Sequence, residues 1–314
     1  MKIPAFDDIC AAHDRIRNIV HRTPVMTSSA INDIFEAELY FKCENFQKAG
    51  AFKFRGATNA VLSLSKEEAK KGVATHSSGN HAAALALSAG MRGIRSYIVM
   101  PDNAPEIKKK AVAGYGAEII FCKPTLEARE TTLEKVVEKT GAVFIHPYNN
   151  FNIISGQGTA AKELLEEAPD LDIVMAPVGG GGLLSGTAIL AKSINPGIKV
   201  FAGEPKGADD ACRSFKSGKL IPSVDPKTIA DGLLTSLGTL TFQIIRKKVD
   251  DIITVSEEEI IYAMRHIWER MKIIIEPSSA VPLAALHENK NIAKGKRVGM
   301  ILSGGNVELD KLPF

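Results

Sequence analysis

Residues 172–194 read DIVMAPVGGGGLLSGTAILAKSI, an apolar β-rich run followed by four consecutive glycines and a segment with helical periodicity. A strand that leads directly into a helix is the repeating unit of parallel α/β sheets. Short apolar runs alternate with helix-period segments along almost the whole chain. The pattern predicts an α/β fold with open, twisted, mostly parallel sheets flanked by helices.

The elements can be placed along the chain from this alternation. Strands are predicted at 39–44, 72–77, 95–101, 117–122, 142–147, 172–179, 199–205 and 297–304, and helices at 81–91, 104–116, 126–141, 159–168, 185–194 and 256–271. Ser256 opens the last helix with Glu259 three residues later, as in a capping box. The strand–helix units between 72 and 148 predict a small inserted domain at 71–149. Residues 1–70 and 150–314 are then expected to form a discontinuous large domain.

Composition indicates a globular protein of ordinary charge. The 314 residues are 45% hydrophobic and 24% charged, enough to bury a large core in one or two domains. The net charge of +3 is far from the strongly basic charge typical of proteins that bind nucleic acids. A small-molecule ligand is therefore expected.

Cysteine spacing and hydropathy indicate the compartment. Four cysteines follow no CxxC or disulfide pattern and are expected to be core thiols, namely Cys10, Cys43, Cys122 and Cys212. No apolar run reaches the roughly 18 residues that a membrane span needs. We therefore expect a cytoplasmic protein with no membrane partner.

The glycine run at 179–182 lies between a predicted strand and a predicted helix. Bare amide N–H groups at the positive end of a helix form an anion site, most naturally for phosphate. A P-loop is excluded because Thr187 follows Gly186 directly, with no lysine between them.

Two other interpretations of this run stay open. A dinucleotide fingerprint needs a third glycine or alanine where the chain has Leu184 or Ser185, although Glu204 ends the next strand where a ribose-binding acid is expected. This leaves a nicotinamide-dependent oxidoreductase as a competing function. The glycines could also serve only to let a helix pack closely on a strand.

Two further strands lead into polar turns. HSSGNHAAA (76–84) presents hydroxyl, amide and imidazole groups at another helix N-terminus, which suits a carboxylate. ILSGGN (301–306) again ends a strand with a hydroxyl and two glycines. Open α/β sheets bind their ligands at the carboxyl ends of the strands, where these turns lie.

Lys53 is unusual in its setting. It lies between Phe52 and Phe54, and glycines at 50 and 56 flank the three residues. A lysine desolvated in an apolar pocket has a lowered pKa and can form a Schiff base. Pyridoxal phosphate is the cofactor with both an aldehyde for this amine and a phosphate for the glycine turn.

Four segments, in this order, resemble those of one enzyme group. They are KCENFQKAGAFKFRGA (42–57), SSGNHA (77–82), PVGGGGLLSG (177–186) and SGGN (303–306). The chain resembles, over essentially its whole length, the fold-type II pyridoxal-phosphate enzymes of the serine racemase and serine/threonine dehydratase family. The stretch ERMKIIIEPSSA (269–280) is also similar to the racemase version.

The resemblance implies roles for the residues that meet the cofactor. Lys53 would bind it covalently and act as a base at the substrate Cα, while Phe52 packs beside the ring. Asn80 would hydrogen-bond the 3-hydroxyl, and Ser303 would face the pyridine nitrogen and leave it largely unprotonated. The phosphate would accept bonds from the amides of Gly179, Gly180, Gly181 and Gly182.

The resemblance also implies how a substrate is held. Ser77, Asn80 and His81 would receive its carboxylate, and Ser78 would be a second acid/base on the face opposite Lys53. With two opposed proton-transfer groups, racemisation of serine becomes possible beside loss of the β-hydroxyl. Arg129 matches an arginine near the site, and Thr235 stands where mammalian racemases have a serine.

A metal site and assembly properties are implied as well. Glu204, the main-chain carbonyl of Ala208 and Asp210 match the family's site for Mg²⁺, with Ca²⁺ or Mn²⁺ as substitutes. A homodimer is expected, and a nucleotide activator is conceivable. Tyr148, where mammalian racemases have asparagine, leaves serine, threonine and threo-3-hydroxyaspartate open as substrates, with serine ranked first. A phosphate-ligand binding module without catalysis is a third hypothesis.

Overall fold

The computed structural model describes residues 2–104 and 106–314. Its helices are α1 (Phe6–Ile16), α2 (Ser29–Phe35), α3 (Lys53–Leu62), α4 (Lys66–Lys71), α5 (Asn80–Arg92), α6 (Glu106–Gly114), α7 (Leu126–Thr140), α8 (Phe151–Glu167), α9 (Gly182–Ile194), α10 (Asp210–Ser217), α11 (Thr239–Lys248), α12 (Glu257–Met271) and α13 (Pro277–Glu288). Its strands are β1 (Val25–Met26), β2 (Glu38–Cys43), β3 (Val73–His76), β4 (Ser96–Pro101), β5 (Glu118–Cys122), β6 (Val143–Phe144), β7 (Ile173–Pro177), β8 (Lys199–Pro205), β9 (Asp251–Val255) and β10 (Arg297–Leu302).

The strands form two sheets. The larger has the order β1-β2-β10-β7-β8-β9, and all its pairs are parallel except β1 with β2. The smaller has the order β5-β4-β3-β6, is wholly parallel, and is built from residues 73–144. The predicted α/β class with two mostly parallel sheets is confirmed. Because parallel strands end at one edge, the turns after β7 and β10 lie side by side.

All eight predicted strands are present, and two strands were missed. β1 pairs with β2 through only Val25 and Met26, too short a run to show periodicity. β9 forms the edge beside β8 and has only two buried residues, Ile252 and Val255. Its sequence DIITV therefore carries a weak strand signal.

The six predicted helices are present, with corrected limits, and seven further helices of the described residues were missed, namely α1, α2, α3, α4, α10, α11 and α13. α8 begins at Phe151 and not at 159, because the Asn150 side chain accepts bonds from the amides of Asn152 and Ile153. The glycine at 156, which argues against a helix, lies where a Cβ would come within 2.6 Å of the Gly56 Cα. Tertiary packing here overrides propensity. Pro105, part of the helix predicted at 104–116, lies outside the described residues.

The capping box predicted for α12 is half formed. The Ser256 hydroxyl accepts a bond from the Glu259 amide over 3.3 Å, as an N-cap should. The Glu259 carboxylate does not return to Ser256, since it lies 2.6 Å from His287 Nδ1 on α13. The cap therefore serves one orphan amide, and the acid links two helices.

Hydrophobic clusters cover both faces of the larger sheet and join it to the smaller one. One face packs against α8 and α9, and the other packs against α12 and α13. A third cluster brings Phe54 of α3 together with Leu85 of α5 and Ile98 of β4. The helix that begins at Lys53 is thus held from both sheets.

A buried ionic cluster anchors α3. Arg55 is fully buried and contacts Glu44 at 2.6 Å and Glu163 at 2.7 Å. Lys42, also fully buried, lies 2.7 Å from the same Glu163 carboxylate. Two cations thus face two anions, and all four side chains have charged partners out of water.

Three of the four cysteines lie in the core as predicted, and Cys10 does not. All four cysteines are free thiols; those at 43, 122 and 212 are buried, and Cys10 is half-buried. Among the described residues, no helix has both the length and the apolar character needed to span a bilayer.

Candidate active site

Lys53 is the first residue of α3, and two contacts fix its position. The amide of the preceding residue, Phe52, donates to the Ser303 carbonyl at the end of β10 over 2.9 Å. The Lys53 Nζ donates to the Pro147 carbonyl over 3.2 Å. A single β-bridge between Ala51 and Gly304 adds to this junction. The lysine is therefore set at the carboxyl edge of the larger sheet.

The environment of Lys53 lowers its basicity. Desolvation lowers its pKa to about 8, and the charge of Glu276 opposes this only in part. The ammonium lies 5.1 Å from the centre of the Phe52 ring. Near neutral pH a useful fraction of the amine is unprotonated, which is what a nucleophilic lysine requires.

The glycine turn at 179–182 is shaped by its neighbours. Gly181 has φ of +82°, which favours glycine, and a Cβ on Gly180 would come within 2.3 Å of the Tyr148 ring. The Thr241 hydroxyl donates to the Gly180 carbonyl over 2.9 Å. Because C=O and N–H of a trans peptide point in opposite directions, this bond directs the Gly181 amide away from α11. The turn opens α9 and leaves its first amides without intrahelical acceptors.

Ser303 and Asn80 lie on two other turns. The Ser303 hydroxyl, buried just beyond β10, lies 3.0 Å from the Ser279 hydroxyl. Asn80 is the first residue of α5 and is half-buried, as are Ser77 and Ser78 before it. The Ser77 amide donates to the Val99 carbonyl over 3.1 Å, which ties this turn to β4.

These contacts place Lys53, Phe52 and Ser303 at one edge of the larger sheet. The glycine turn after β7 lies at the same edge, beside Tyr148. A lysine of lowered pKa together with a glycine turn at a helix N-terminus fits pyridoxal phosphate, which offers an aldehyde to the first and a phosphate to the second. The family model of pyridoxal-phosphate dependent enzymes matches residues 16–304. The chain belongs to this family.

This pyridoxal-phosphate dependent enzyme has close relatives over its full length. It is 54% identical over 309 residues to the serine racemase of Dictyostelium discoideum, covering 97% of this chain and 95% of that protein. It is 52% identical over 314 residues to the β-hydroxyaspartate dehydratase of Paracoccus denitrificans, covering 100% of both. The crystal structure of the Dictyostelium discoideum serine racemase matches with a TM-score of 0.94 at 54% identity, covering 97% of this chain and 99% of that one.

The match to this family confirms the predicted resemblance. It also rules against the nicotinamide-dependent oxidoreductase considered above. Glu204, which had kept that alternative open, is buried, and its two carboxylate oxygens accept the amides of Ala211 and Cys212 over 2.9 and 2.8 Å. Both oxygens cap the start of α10.

His81 is buried in this enzyme and is not a cation. Burial, followed by the nearby charge of Lys53, lowers its pKa to about 3. Its Nε2 donates to the Ile145 carbonyl over 3.2 Å, and its Nδ1 is buried with no partner in the described residues. The imidazole therefore offers no charge to a carboxylate, and only the main chain of this residue remains at the helix N-terminus.

Two more imidazoles and Tyr148 line the same region, and sequence reasoning assigned no role to the imidazoles. The His146 Nδ1 accepts the amides of Tyr148 and Asn149 over 3.3 and 3.0 Å, and burial lowers its pKa to about 4. Its ring packs edge-on against the Tyr148 ring at 4.6 Å. His76 lies stacked on Phe144 at 5.9 Å, and burial lowers its pKa also. The wall near Lys53 is thus aromatic and neutral.

Arg129 and Thr235 lie at the margin of this region. Arg129 is half-buried on α7, and its Nε is buried with no acceptor among the described residues. Its charge contributes to the lowered pKa of His76, so the two side chains are near each other. Burial raises the pKa of the Tyr148 hydroxyl, and Thr235, which is exposed, lies close enough to oppose this in part.

Glu276 lies in the stretch ERMKIIIEPSSA, but no role was predicted for it from the sequence. It is 3% exposed and occupies the N-cap position of α13 immediately before Pro277, without a capping bond from its side chain. Both carboxylate oxygens lie 3.0 Å from the Asn80 Nδ2. Desolvation raises its pKa to about 7. The available signal was a glutamate placed between three isoleucines and a helix-starting proline.

The predicted metal ligands lie between the end of β8 and the first residue of α10. Glu204 and Asp210 are buried, and desolvation raises their pKa values to about 8 and about 6. The Asp210 Oδ2 is buried with no hydrogen-bond partner in the described residues. No cluster of three or more His, Cys, Asp or Glu side chains occurs in residues 2–104 and 106–314, so carbonyl or water ligands have to complete any site. Two buried acids and one orphan oxygen fit a hard cation.

Proposed function

We propose that this enzyme is a serine racemase with serine/threonine dehydratase activity. It interconverts L- and D-serine and eliminates water from serine to give pyruvate and ammonia. The observation that carries the proposal concerns Lys53. Its amine has a lowered pKa and lies at the sheet edge that also holds the glycine turn. Serine racemases at 54% and 53% identity support the substrate.

Pyridoxal phosphate, when bound, supplies an electron sink that acidifies the Cα–H of an amino acid. In this proposal the amides of the glycines at 179–182 bind the phosphate, and Ser303 faces the pyridine nitrogen. Phe52 packs beside the ring, and Asn80 donates to the 3-oxygen. The lowered pKa of Lys53 supports its role as the base at Cα, because a base with a pKa near working pH is efficient.

We further propose that Ser78 is the proton-transfer group opposite Lys53. It lies in the turn between β3 and α5, half-buried beside Ser77 and Asn80, which are proposed to hold the substrate carboxylate. The positive end of α5 supports carboxylate binding there. His81 contributes through its main chain, since its imidazole is neutral and bonded to Ile145. A hydroxyl can return a proton to Cα from the face that Lys53 cannot reach.

A second candidate is a threo-3-hydroxyaspartate ammonia-lyase on the same scaffold. The β-hydroxyaspartate dehydratase at 52% identity supports it, as does Arg129, whose unpartnered buried Nε could bind a second carboxylate. Threonine dehydration is the third possibility on this scaffold. Tyr148 and Thr235, which lie near each other, are proposed to border the substrate side chain.

The metal, assembly and compartment are proposed as well. Mg²⁺, or Ca²⁺ or Mn²⁺ in its place, is bound by Glu204, Asp210 and the Ala208 carbonyl, supported by the orphan oxygen of Asp210. The chain is a cytoplasmic homodimer that a nucleotide can activate. Its small domain spans 71–149, and the large domain comprises 1–70 and 150–314; the separate four-stranded sheet of residues 73–144 supports this division.

The decisive experiment is borohydride reduction of the yellow holoenzyme followed by peptide mapping. Pyridoxyl label on Lys53 is expected, and Lys53→Ala should be colourless and inactive. Incubation with L-serine, L-threonine and threo-3-hydroxyaspartate, with and without Mg²⁺, then ranks the substrates by keto acid formed and by chirality. An unlabelled Lys53 would overturn the proposal, and elimination from hydroxyaspartate alone would favour the second candidate.

A further inference from the structure

We propose that Glu276 is a positioning residue that orients the Asn80 carboxamide for the cofactor. The inference rests on the proposed function, in which Asn80 donates to the 3-oxygen of pyridoxal phosphate. Glu276 itself touches Asn80 and not the reacting atoms, so its role is to select which end of that amide faces the ring.

Asn80 is held at both ends of its amide. The Nδ2 lies 3.0 Å from each oxygen of Glu276, and the Oδ1 accepts a bond from the Asn306 Nδ2 over 2.9 Å. The Asn306 Nδ2 also donates to the Ala49 carbonyl over 2.8 Å, so both of its N–H groups are used. Asn306 can therefore only donate to Asn80, which fixes the carbonyl end of the Asn80 amide on that side.

The amide end then has one donor to spare. Two equal distances from one nitrogen to two carboxylate oxygens fit a single N–H shared between them. The second N–H of Asn80 remains for another acceptor, and a 3-oxygen of phenolate character is a strong one. A flipped amide would present a carbonyl to that oxygen and repel it.

The hydrogen bonds among the side chains of Glu276, Asn80 and Asn306 connect separate parts of the fold. Glu276 occupies the N-cap position of α13 behind the larger sheet, Asn80 begins α5 after β3 of the smaller sheet, and Asn306 follows β10. The Glu276 amide donates to the Gly304 carbonyl over 3.0 Å, so the acid is tied to the turn after Ser303. These hydrogen bonds therefore tie the start of α5, in the smaller sheet's unit, to the start of α13 and to the turn after β10.

The charged groups around Glu276 come from three elements. Asp231, in the turn before α11, favours its protonated form, whereas Lys108 of α6 favours the ionised form and itself pairs with Asp231 at 2.5 Å. Lys53 of α3 is near enough for the Glu276 charge to raise its pKa. Burial is the largest influence and raises the pKa of Glu276 to about 7.

Ionisation then decides how firmly Asn80 is held. The ionised carboxylate accepts only, so it requires the Nδ2 end of Asn80. The protonated acid can donate as well, so it no longer selects the Nδ2 end and leaves the orientation of Asn80 to Asn306 alone. The hydrogen bond from the Asn80 Nδ2 to Glu276 is therefore expected to strengthen as the pH rises through about 7.

The test uses Glu276→Gln, which mimics the protonated acid at nearly constant volume. The dissociation constant of pyridoxal phosphate from the full-length chain is measured at pH 6 and pH 8.5. We expect wild type and variant to agree within about twofold at pH 6, and the variant to bind about tenfold more weakly at pH 8.5, the loss of one charge-assisted bond. Glu134→Gln, on the exposed face of α7, is the matched control and should change neither value.

A double-mutant cycle identifies the residue through which Glu276 acts. In the Asn80→Ala background, Glu276→Gln is expected to have no further effect on cofactor binding at pH 8.5. If Glu276→Gln does not fold, Asn306→Ala tests the other end of the amide and should weaken binding several-fold at both pH values.

The outcomes separate this inference from the proposed function. A loss of equal size at both pH values, or one that persists without Asn80, means that Glu276 only fills space or acts elsewhere, and the inference is wrong. Failure of the wild-type chain to form a reducible link at Lys53 removes the proposed function and this role together. If Lys53 is labelled but the cofactor affinities of wild type and Glu276→Gln change in parallel with pH, only the proposed role of Glu276 is wrong.

Discussion

The Nζ of Lys53 lies 3.2 Å from the Pro147 carbonyl, which joins the first turn of α3 to the segment after β6. A carbonyl accepts a hydrogen bond from either protonation state of the amine and does not pair with the charge. Desolvation is therefore left to dominate, and it lowers the Lys53 pKa to about 8.

The lowered pKa predicts early chemical labelling. In the cofactor-free folded chain, acylation of Lys53 should reach half its maximal rate near pH 8, because the unprotonated amine is the nucleophile. The same residue in the urea-unfolded chain is the control and should require a pH near about 10. Quantitative peptide mapping makes the measurement, and identical profiles in both states would contradict the prediction.

Ser78→Ala should separate the two proposed reactions. Loss of the proton-transfer group opposite Lys53 is expected to lower racemisation of serine by about 10²-fold or more, while pyruvate still forms from L-serine. Chiral chromatography of serine beside a keto-acid assay follows both. Ser63→Ala, at the end of α3, is the control. Racemisation at the wild-type rate in Ser78→Ala would remove the second base from the mechanism.

Gly180→Ala should disrupt the phosphate turn. The new methyl group would lie 2.3 Å from the Tyr148 ring, so either the turn or the ring must move. We expect pyridoxal phosphate to bind at least tenfold more weakly, with partial recovery in the double variant Gly180→Ala, Tyr148→Ala. Gly114→Ala, where a Cβ meets nothing within 4 Å, is the matched control. Unchanged cofactor affinity in Gly180→Ala would mean that the turn does not bind the phosphate.

Mg²⁺ should raise the melting temperature, and more so at high pH. Glu204 and Asp210 have pKa values raised to about 8 and about 6, so below these values a cation must displace protons to bind. The stabilisation is expected to be larger at pH 8.5 than at pH 6.5 and to disappear in Asp210→Asn. Asp209→Asn, at the adjacent half-buried position, should keep it. Equal shifts in both variants would place the cation elsewhere.

The buried ionic cluster should be costly to break. Among the described residues, Glu163→Gln leaves Arg55 with only the Glu44 carboxylate and leaves Lys42 with only that of Glu167, which is 3.9 Å away and partly exposed. The free energy of unfolding is expected to fall by about 3–5 kcal/mol. Glu166→Gln on the same helix, where the acid is partly exposed, should cost no more than about 1 kcal/mol. Urea denaturation distinguishes the two, and equal losses would show that burial of the cluster does not matter.

Local sequence predicted most of the strands and the ligand-binding turns, but only six of the thirteen helices in the described residues and not the partners of any element. Alternation of apolar runs predicted eight of the ten strands, and glycine and hydroxyl residues at strand ends predicted the ligand-binding edge. The start of α8 could not be predicted, because helical glycines there are stabilised by contact with Gly56. β1 and β9 are a two-residue pair and an exposed edge, which leave little periodicity to read.

The same limit applies within the site. Lys53 was recognisable because aromatic residues flank it in sequence. Glu276 was not, since its partner Asn80 is 196 positions away and nothing local indicates that the two meet. The neutral state of His81 likewise depends on burial and on the Ile145 carbonyl, which a motif does not record.

The anchoring of α3 has a consequence for reconstitution kinetics. Arg55, two positions after Lys53, is secured to Glu44 and Glu163, and the Phe52 amide is bonded to the end of β10, all through protein groups alone. Contacts between protein groups are therefore sufficient to hold the lysine in place. We expect uptake of the vitamin-derived aldehyde to be a single second-order process that scales linearly with concentration, without a slow refolding phase that limits its rate.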